Sequence, residues 1–432
     1  MNFYSLLRSN QNYRRLWVGQ VVSEIGDHFN NIAVFSLALE HTRLDPSRSG
    51  LAVTGVMLSR AIPAVLAGPI AGVVLDRLNR KHVMIASDTI RAVLALGFIL
   101  TLGHPGTWML YGFSALLMFA SPFFSAGRSS ILPAITTPEE VHAANSLTQI
   151  TQWTTTTIGT FGAGISIAKF GYEWAFVFNS LSFVISGMCV ALLSAGTSGF
   201  RAARRTGLVK TRPWTEYMAG LRYMAATPLL LGIGLIGVGW ASGGGAAQIL
   251  FSLFGELVYH RGAAGIGIIW GCAGCGLIAG GTFAYWLGKR ITFNGYKKTI
   301  SICYVVHGVT YVIFSQTRHF AVGLVFIALS RAAVAVSSVL NFSQLVRHTA
   351  DEYRGRVFST VDSLVWSTMM LSMMCAGIAS QHYDPRTIGL VAGILSSTTA
   401  IFWGWANFTG RLPEPALHLE TETVEEHNER VA

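Results

Sequence analysis

Long apolar stretches alternate with short polar interruptions along this chain, and twelve runs can be placed. They lie at roughly 16–40, 50–75, 82–103, 106–126, 146–168, 173–195, 228–252, 263–287, 298–316, 319–342, 358–380 and 386–408, each near the ~20 residues that a helix needs to cross a bilayer. The longest interruption, between the sixth and seventh runs, carries the basic segment Arg201 to Arg222. The pattern predicts an all-α polytopic membrane protein of twelve transmembrane helices in two six-helix bundles. The domain plan is an N-terminal bundle over 1–197, a cytoplasmic basic linker over 198–227, a C-terminal bundle over 228–410 and a disordered cytoplasmic tail over 411–432. From Leu412 the tail is polar and acidic, with almost no aromatic residues, a composition that cannot bury enough apolar surface to order itself.

Composition agrees with this pattern. The chain is 51% hydrophobic and 12% charged, with a mean hydropathy of +0.48, whereas soluble domains carry about 25% charged residues. A net charge of +10 could suggest a nucleic-acid partner. The basic residues instead concentrate at the N-terminus, in alternate loops and in the tail, which is how Lys and Arg fix membrane orientation. Both termini are therefore expected in the cytoplasm, with the chain in the bacterial inner (plasma) membrane and no nucleic acid bound. The five cysteines all fall inside apolar runs. Cys272 and Cys275 form a C-x-x-C with no second pair or nearby His and read as small packing residues, not metal or redox ligands.

Charges inside the apolar runs mark the chemistry, because intramembrane ionic side chains are costly and cluster on pathways and coupling sites. Glu24 and Asp27, three residues apart in the first run, share one helical face, and Asp27 lies close to mid-membrane. Arg60 in the second run should reach comparable depth, so an Asp27–Arg60 ion pair is expected. In the third run Asp88 and Arg91 are one turn apart. Either they form a local salt bridge, or Arg91 faces a cavity while Asp88 joins Arg77 and Arg80. Between runs 2 and 3 stands Gly72-Val-Val-Leu-Asp76-Arg77-Leu-Asn-Arg80-Lys81, too ionic to lie in hydrocarbon.

That loop's spacing, G-x-x-x-D-R-x-x-R-K, resembles the signature loop between spans 2 and 3 of the major facilitator superfamily of transporters. Gly159-Thr160-Phe-Gly162-Ala163-Gly164 resembles a degraded form of the motif of its proton-linked exporters, with Thr160 in place of a proline and Ala163 of a glycine. Asn12-Tyr-Arg-Arg-Leu-Trp17, Gly26-Asp27, Arg128 with Leu132-Pro133, Asn145-Ser-Leu147 and Asp351-Glu-Tyr-Arg-Gly-Arg356 look like the branch that holds macrolide and siderophore exporters. The second half repeats the first: Gly281 to Arg290 aligns with Gly72 to Lys81, with Tyr285 where Asp76 stands, and Thr349 to Arg356 aligns with Thr137 to Ala144. Paired halves of this kind hold substrate between repeats at mid-membrane.

The resemblance implies a secondary active transporter that exports amphipathic small molecules (drugs, macrolides or siderophores) in exchange for protons. It implies that Gly72, Asp76, Arg77, Arg80, Lys81 and Asp88 form a cytoplasmic gating loop. For proton coupling a carboxylate must alternate between protonated and ion-paired states; Asp27 is the first choice and Glu24 the second, with Arg60 or Arg91 as the partner that releases the proton. Phe29, Asn30, Trp153, Trp240, Gln248, Arg331 and Trp366 are the candidates for the substrate cavity. The expected partners are substrate, protons and membrane lipid, and one chain suffices, so a monomer is expected. The chain has no H-E-x-x-H, nucleophile elbow or phosphate loop, which argues against an enzyme and gives no cofactor or metal to expect. Alternatives are an uptake permease or lysophospholipid transporter, and a non-transporting receptor.

Overall fold

The computed structural model describes residues 3–104, 106–194 and 213–415; the linker stretch before Pro213 and the tail beyond Pro415 lie outside them. Among the described residues the secondary structure is helical, with no strand. Fourteen α-helices run in order: α1 (Phe3–Ser9), α2 (Gln11–His41), α3 (Ser49–Arg77), α4 (Arg80–Gly97), α5 (Trp108–Ile135), α6 (Pro138–Phe170), α7 (Tyr172–Ala191), α8 (Pro213–Ala226), α9 (Pro228–Leu253), α10 (Gly262–Gly288), α11 (Phe293–Gln316), α12 (Phe320–His348), α13 (Asp351–Ala379) and α14 (Pro385–Phe408). The twelve apolar runs correspond to α2–α7 and α9–α14, and α8 covers the last part of the basic linker.

Ten of those twelve are both long and apolar enough to cross a membrane. The other two, α2 and α6, have 31 and 33 residues and at 1.5 Å per residue are long enough several times over for one leaflet and ample for both. Their polar residues are what lower their hydropathy. This is a multi-pass membrane protein with a twelve-helix, two-fold repeated plan. The duplication is visible in the helix starts: α3, α4, α6 and α7 begin at residues 49, 80, 138 and 172, and α10, α11, α13 and α14 at 262, 293, 351 and 385, each 213 residues later.

Helix ends follow local chemistry. Asn79 caps α4, its side chain accepting from Lys81 N at 3.0 Å. Thr137 precedes α6, where Glu140 Oε2 accepts from Thr137 N at 3.1 Å and from Asn10 Nδ2 at 2.8 Å, so the chain's start is tied to that turn. Pro138 stands in the first turn of the continuous α6.

The described residues fall into two compact units. The first contains α1 to α7 together with Phe251–Gly274 and Ser380–His382; the second contains α8, the chain up to Leu250, Cys275–Ala379 and the chain from Tyr383. In the first unit, Leu16, Met84, Phe124, Ile131, Ile135, Val190 and Leu193 form a core among α2, α4, α5 and α7. In the second, a larger core gathers Leu229, Leu230, Tyr296, Ile300, Tyr304, Leu340, Trp403 and others around Leu412. Leu412 is 3% exposed, and its carbonyl accepts from Lys297 Nζ at 3.1 Å. The polar tail therefore starts after this anchor and not at Leu412, because one leucine finds an apolar seat that composition could not reveal.

Candidate functional site

The polar face of α2 organises the site in the first unit. Gln20, Glu24, Asp27 and Asn30 follow at spacings of four, three and three, which brings them onto one stripe of a helix. That stripe meets α6 in the same chain direction. Tyr13 Oη donates to Ala144 O at 2.9 Å, Trp17 Nε1 to Thr151 Oγ1 at 2.8 Å, and Thr155 Oγ1 to Glu24 Oε2 at 2.7 Å. Glu24 Oε1 also accepts from Gln20 Nε2 at 2.8 Å and from Arg128 Nη1 of α5 at 3.3 Å. Both of its oxygens are thus engaged, and with Glu24 17% and Arg128 20% exposed the pair is half-sheltered.

Asp27, one turn further along, is different. Its Oδ1 is buried and has no hydrogen-bond partner, and no ion pair within 4.0 Å is formed with it among the described residues. Arg60 does come into its electrostatic neighbourhood, as does Arg91, but the Arg60 guanidinium reaches Asn30 Oδ1, at 3.4 Å. The contact expected at Asp27 is made one turn further along the same face of α2, at Asn30. Next to Asp27, Gly26 lets α2 lie against α7, where a Cβ would overlap Ser182 Oγ and stand 2.8 Å from Asn179 Oδ1.

Asp88 and Arg91 form a local ion pair, the first of the two expected arrangements. Arg91 is held between aromatic rings, 4.7 Å from the Phe124 centroid and 4.3 Å from that of Phe183. Cation–π contacts on both sides fix the guanidinium. In the charged loop, Arg80 Nη1 donates to Ser130 O at 2.8 Å and Lys81 Nζ to Leu193 O at 2.8 Å, so both cations satisfy carbonyls at the ends of α5 and α7, where the helix dipole favours positive charge. Asp76, Arg77 and Gly72 are exposed.

The cavity candidates scatter. Phe29 packs against Phe178 with tilted rings and centroids 4.6 Å apart, Asn30 is fully buried, and Trp153 and Trp366 are exposed at 38% and 54%. In the second unit Trp240 packs on the core with its Nε1 buried and without a hydrogen-bond partner, and Gln248 is half-buried on α9. Arg331 is buried near His307 and Tyr311, where His307 Nδ1 and Ser330 Oγ lie 2.7 Å apart. No group of three His, Cys, Asp or Glu among the described residues could hold a metal ion.

Sequence reasoning missed Arg128, Thr155 and Gln20 as members of the site. A signal for Arg128 existed, since it is the one ionic residue of the 28-residue α5. It also missed a contact within the first unit between α6 and the first half of α10. A Cβ on Gly164 would lie 2.7 Å from Ala263 O and 2.9 Å from Gly267 Cα, and one on Gly274 would run into Thr157. The glycine-rich motif of α6 is therefore used for a backbone-to-backbone crossing.

Curated proteins and solved structures bear on this geometry. Over 226 residues the chain is 26% identical to the uncharacterized MFS-type transporter YfiS of Bacillus subtilis, a match covering 52% of each chain, so it spans about half of that relative. Over 392 residues it is 23% identical to the putative bacilysin exporter BacE of Bacillus subtilis, covering 90% of this chain and 92% of the other. It is 23% identical over 364 residues to the enterobactin exporter EntS of Escherichia coli, covering 82% and 81%. Among solved structures, an inward-facing bacterial homolog of the human lysosomal transporter Spinster superposes with a TM-score of 0.67 at 12% identity, covering 93% of this chain and 98% of that one. A bacterial homologue of the iron transporter ferroportin gives 0.64 at 18% identity, covering 92% and 99%. Residues 16–361 match the Major Facilitator Superfamily, and with the repeated twelve-helix plan and the charged loop in place, the chain belongs to that family of membrane transporters.

Proposed function

We propose that this chain is a secondary active exporter of amphipathic small molecules in the bacterial inner membrane, coupled to protons and working by alternating access, with both termini cytoplasmic. The observation that carries the reading is the unequal state of two carboxylates one turn apart on α2. Glu24 is held by Arg128, Thr155 and Gln20, whereas Asp27 Oδ1 is buried and bare with Arg60 nearby. A site of this kind can take a proton on one carboxylate while the other keeps its cation, so a proton entering at Asp27 leaves the Glu24–Arg128 pair intact. Asp27 is the coupling residue, with Arg91 and Arg60 the cations in its field, and Glu24–Arg128 the pair that fixes α2 against α5 and α6. Arg91, wedged between two rings and paired with Asp88, positions α4 and does not take the proton. The exporter names of BacE and EntS support the outward direction and a substrate of antibiotic or siderophore type.

The test is pH-gradient-driven flux of a fluorescent amphipathic dye in proteoliposomes, comparing the wild type with Asp27→Asn, Glu24→Gln and Asp76→Asn. Loss of gradient-driven flux in Asp27→Asn, with dye binding retained, is the expected result. Flux that ignores the gradient in the wild type and is unchanged in Asp27→Asn would sink the antiport reading, and labelled lysophospholipid would be the next substrate.

A further inference from the structure

In the second unit, at the end where α10 and α12 finish and α11 begins, a pocket of about 240 Å³ is lined by Tyr285, Lys289, Thr292, Ser343, Arg347 and Glu414, among others. It is smaller than the ~300–1,000 Å³ of sites for drug-sized ligands, so it holds a headgroup and not a whole substrate. Two cations face it. Lys289 Nζ donates to Tyr285 Oη at 2.6 Å and lies 4.0 Å from that ring's centroid, which orients the ammonium without neutralising it. Among the described residues, neither Lys289 nor Arg347 has a carboxylate within 4.0 Å. The Thr292 hydroxyl adds a donor, and the first turn of the 24-residue α11 presents the positive end of its dipole to the same space. Ala284, Ile291, Val339 and Leu340 supply an apolar wall.

Glu414, an exposed residue at the rim, is the one carboxylate in the lining. It is held there because the chain just before it is pinned: Leu412 is buried in the core and its carbonyl takes the Lys297 ammonium, while Trp403 Nε1 donates to Lys297 O at 2.9 Å. The pocket thus combines two un-neutralised cations, a hydroxyl donor, an aromatic edge and an apolar wall at a helix end.

We propose that this pocket binds the phosphate headgroup of an anionic phospholipid from the adjoining leaflet, with Lys289 and Arg347 as the phosphate ligands and Glu414 as a fixed negative charge that weakens the binding. The phosphate sits between the cations and the α11 N-terminus, while the acyl chains leave past the half-buried Ile291 and Val339 into hydrocarbon. A charge near the membrane surface contributes about 1 kcal/mol, or roughly fivefold in affinity per charge removed or added.

Binding is measured as the rise in thermal unfolding midpoint of the purified full-length chain in neutral detergent, titrated with phosphatidylglycerol, phosphatidylcholine or inorganic phosphate. The expected result is a saturable rise with phosphatidylglycerol and none with phosphatidylcholine. Half-saturation should move about fivefold lower in Glu414→Gln and at least as far higher in Lys289→Gln or Arg347→Gln. The Glu414→Gln arm keeps the idea testable if the cation variants unfold. Equal responses to the two lipids, or a Glu414→Gln variant that binds no more tightly, overturn the proposal. Inorganic phosphate reproducing the whole rise assigns the pocket to a soluble anion and overturns the lipid assignment.

Discussion

Gly164 of α6 and Gly267 of α10 meet backbone to backbone, a Cβ on either one standing 2.9 Å or less from the other's Cα. Thr160 O, Phe161 and Thr157 continue the crossing against Gly267, Gly271 and Gly274. A side chain at the crossing must push the two helices apart, and overpacking of this kind costs about 1–3 kcal/mol. Gly164→Val and Gly267→Val should therefore lower the thermal midpoint and abolish dye efflux. Gly162→Ala should be close to wild type, since its Cβ would meet Phe29 at an ordinary 3.6 Å. Equal damage from all three would show that the crossing is not what these glycines serve.

Glu24 and Arg128 should be coupled energetically. Each is under a quarter exposed, so stranding one partner should cost less than the 3–5 kcal/mol of a fully buried pair, about 1–3 kcal/mol. Glu24→Gln and Arg128→Gln are each expected to destabilise the chain, and the double variant to recover part of the loss. A double-mutant cycle on thermal midpoints with no coupling would mean that the 3.3 Å contact contributes nothing.

Arg91 should behave as a structural residue. Between Phe124 and Phe183 and beside buried Asp88, its removal leaves an unpaired carboxylate, at a cost of about 3–5 kcal/mol. Arg91→Gln should express poorly, Asp88→Asn with Arg91→Gln should express better, and gradient-driven flux per folded molecule in that double variant should stay near wild type. Loss of gradient dependence there would return Arg91 to the coupling site.

Among the described residues, Leu412 is the last large apolar side chain that the second unit buries. Leu412→Asp should cost at least the ~2–3 kcal/mol of an exposed leucine, because the carboxylate would also lie beside apolar core. Truncation after Pro415 should leave the midpoint unchanged, whereas truncation after Gly410 should lower it. Identical midpoints for the two truncations would remove the anchor from the account.

The twelve helices and their duplication were legible because apolar length and charge placement report on the solvent of each segment. The partners of individual charges were less so. Counting residues gives depth only to within about a turn, and Arg60 reaches Asn30, one turn beyond Asp27 on the same face of α2. Glu24's true partner came from α5, three helices away along the chain by span order and adjacent only in the folded unit. The Asp88–Arg91 pair could be foreseen because both residues share one helix, where a spacing of three settles the geometry. Leu412 was invisible for the opposite reason: a single apolar residue in a polar stretch has no period.

The low hydropathy of α2 has a consequence for biosynthesis. With Glu24, Asp27, Gln20 and paired asparagines at 30 and 31, α2 carries two acids, each costing about 3 kcal/mol at mid-membrane on an insertion scale. The side chains that shelter it, Arg128, Thr155, Asn179 and Ser182, belong to α5, α6 and α7, which are made a hundred residues or more later. A nascent chain cut after α3 should therefore hold its first helix loosely in the bilayer, and the arrival of α7 should be the step that commits it.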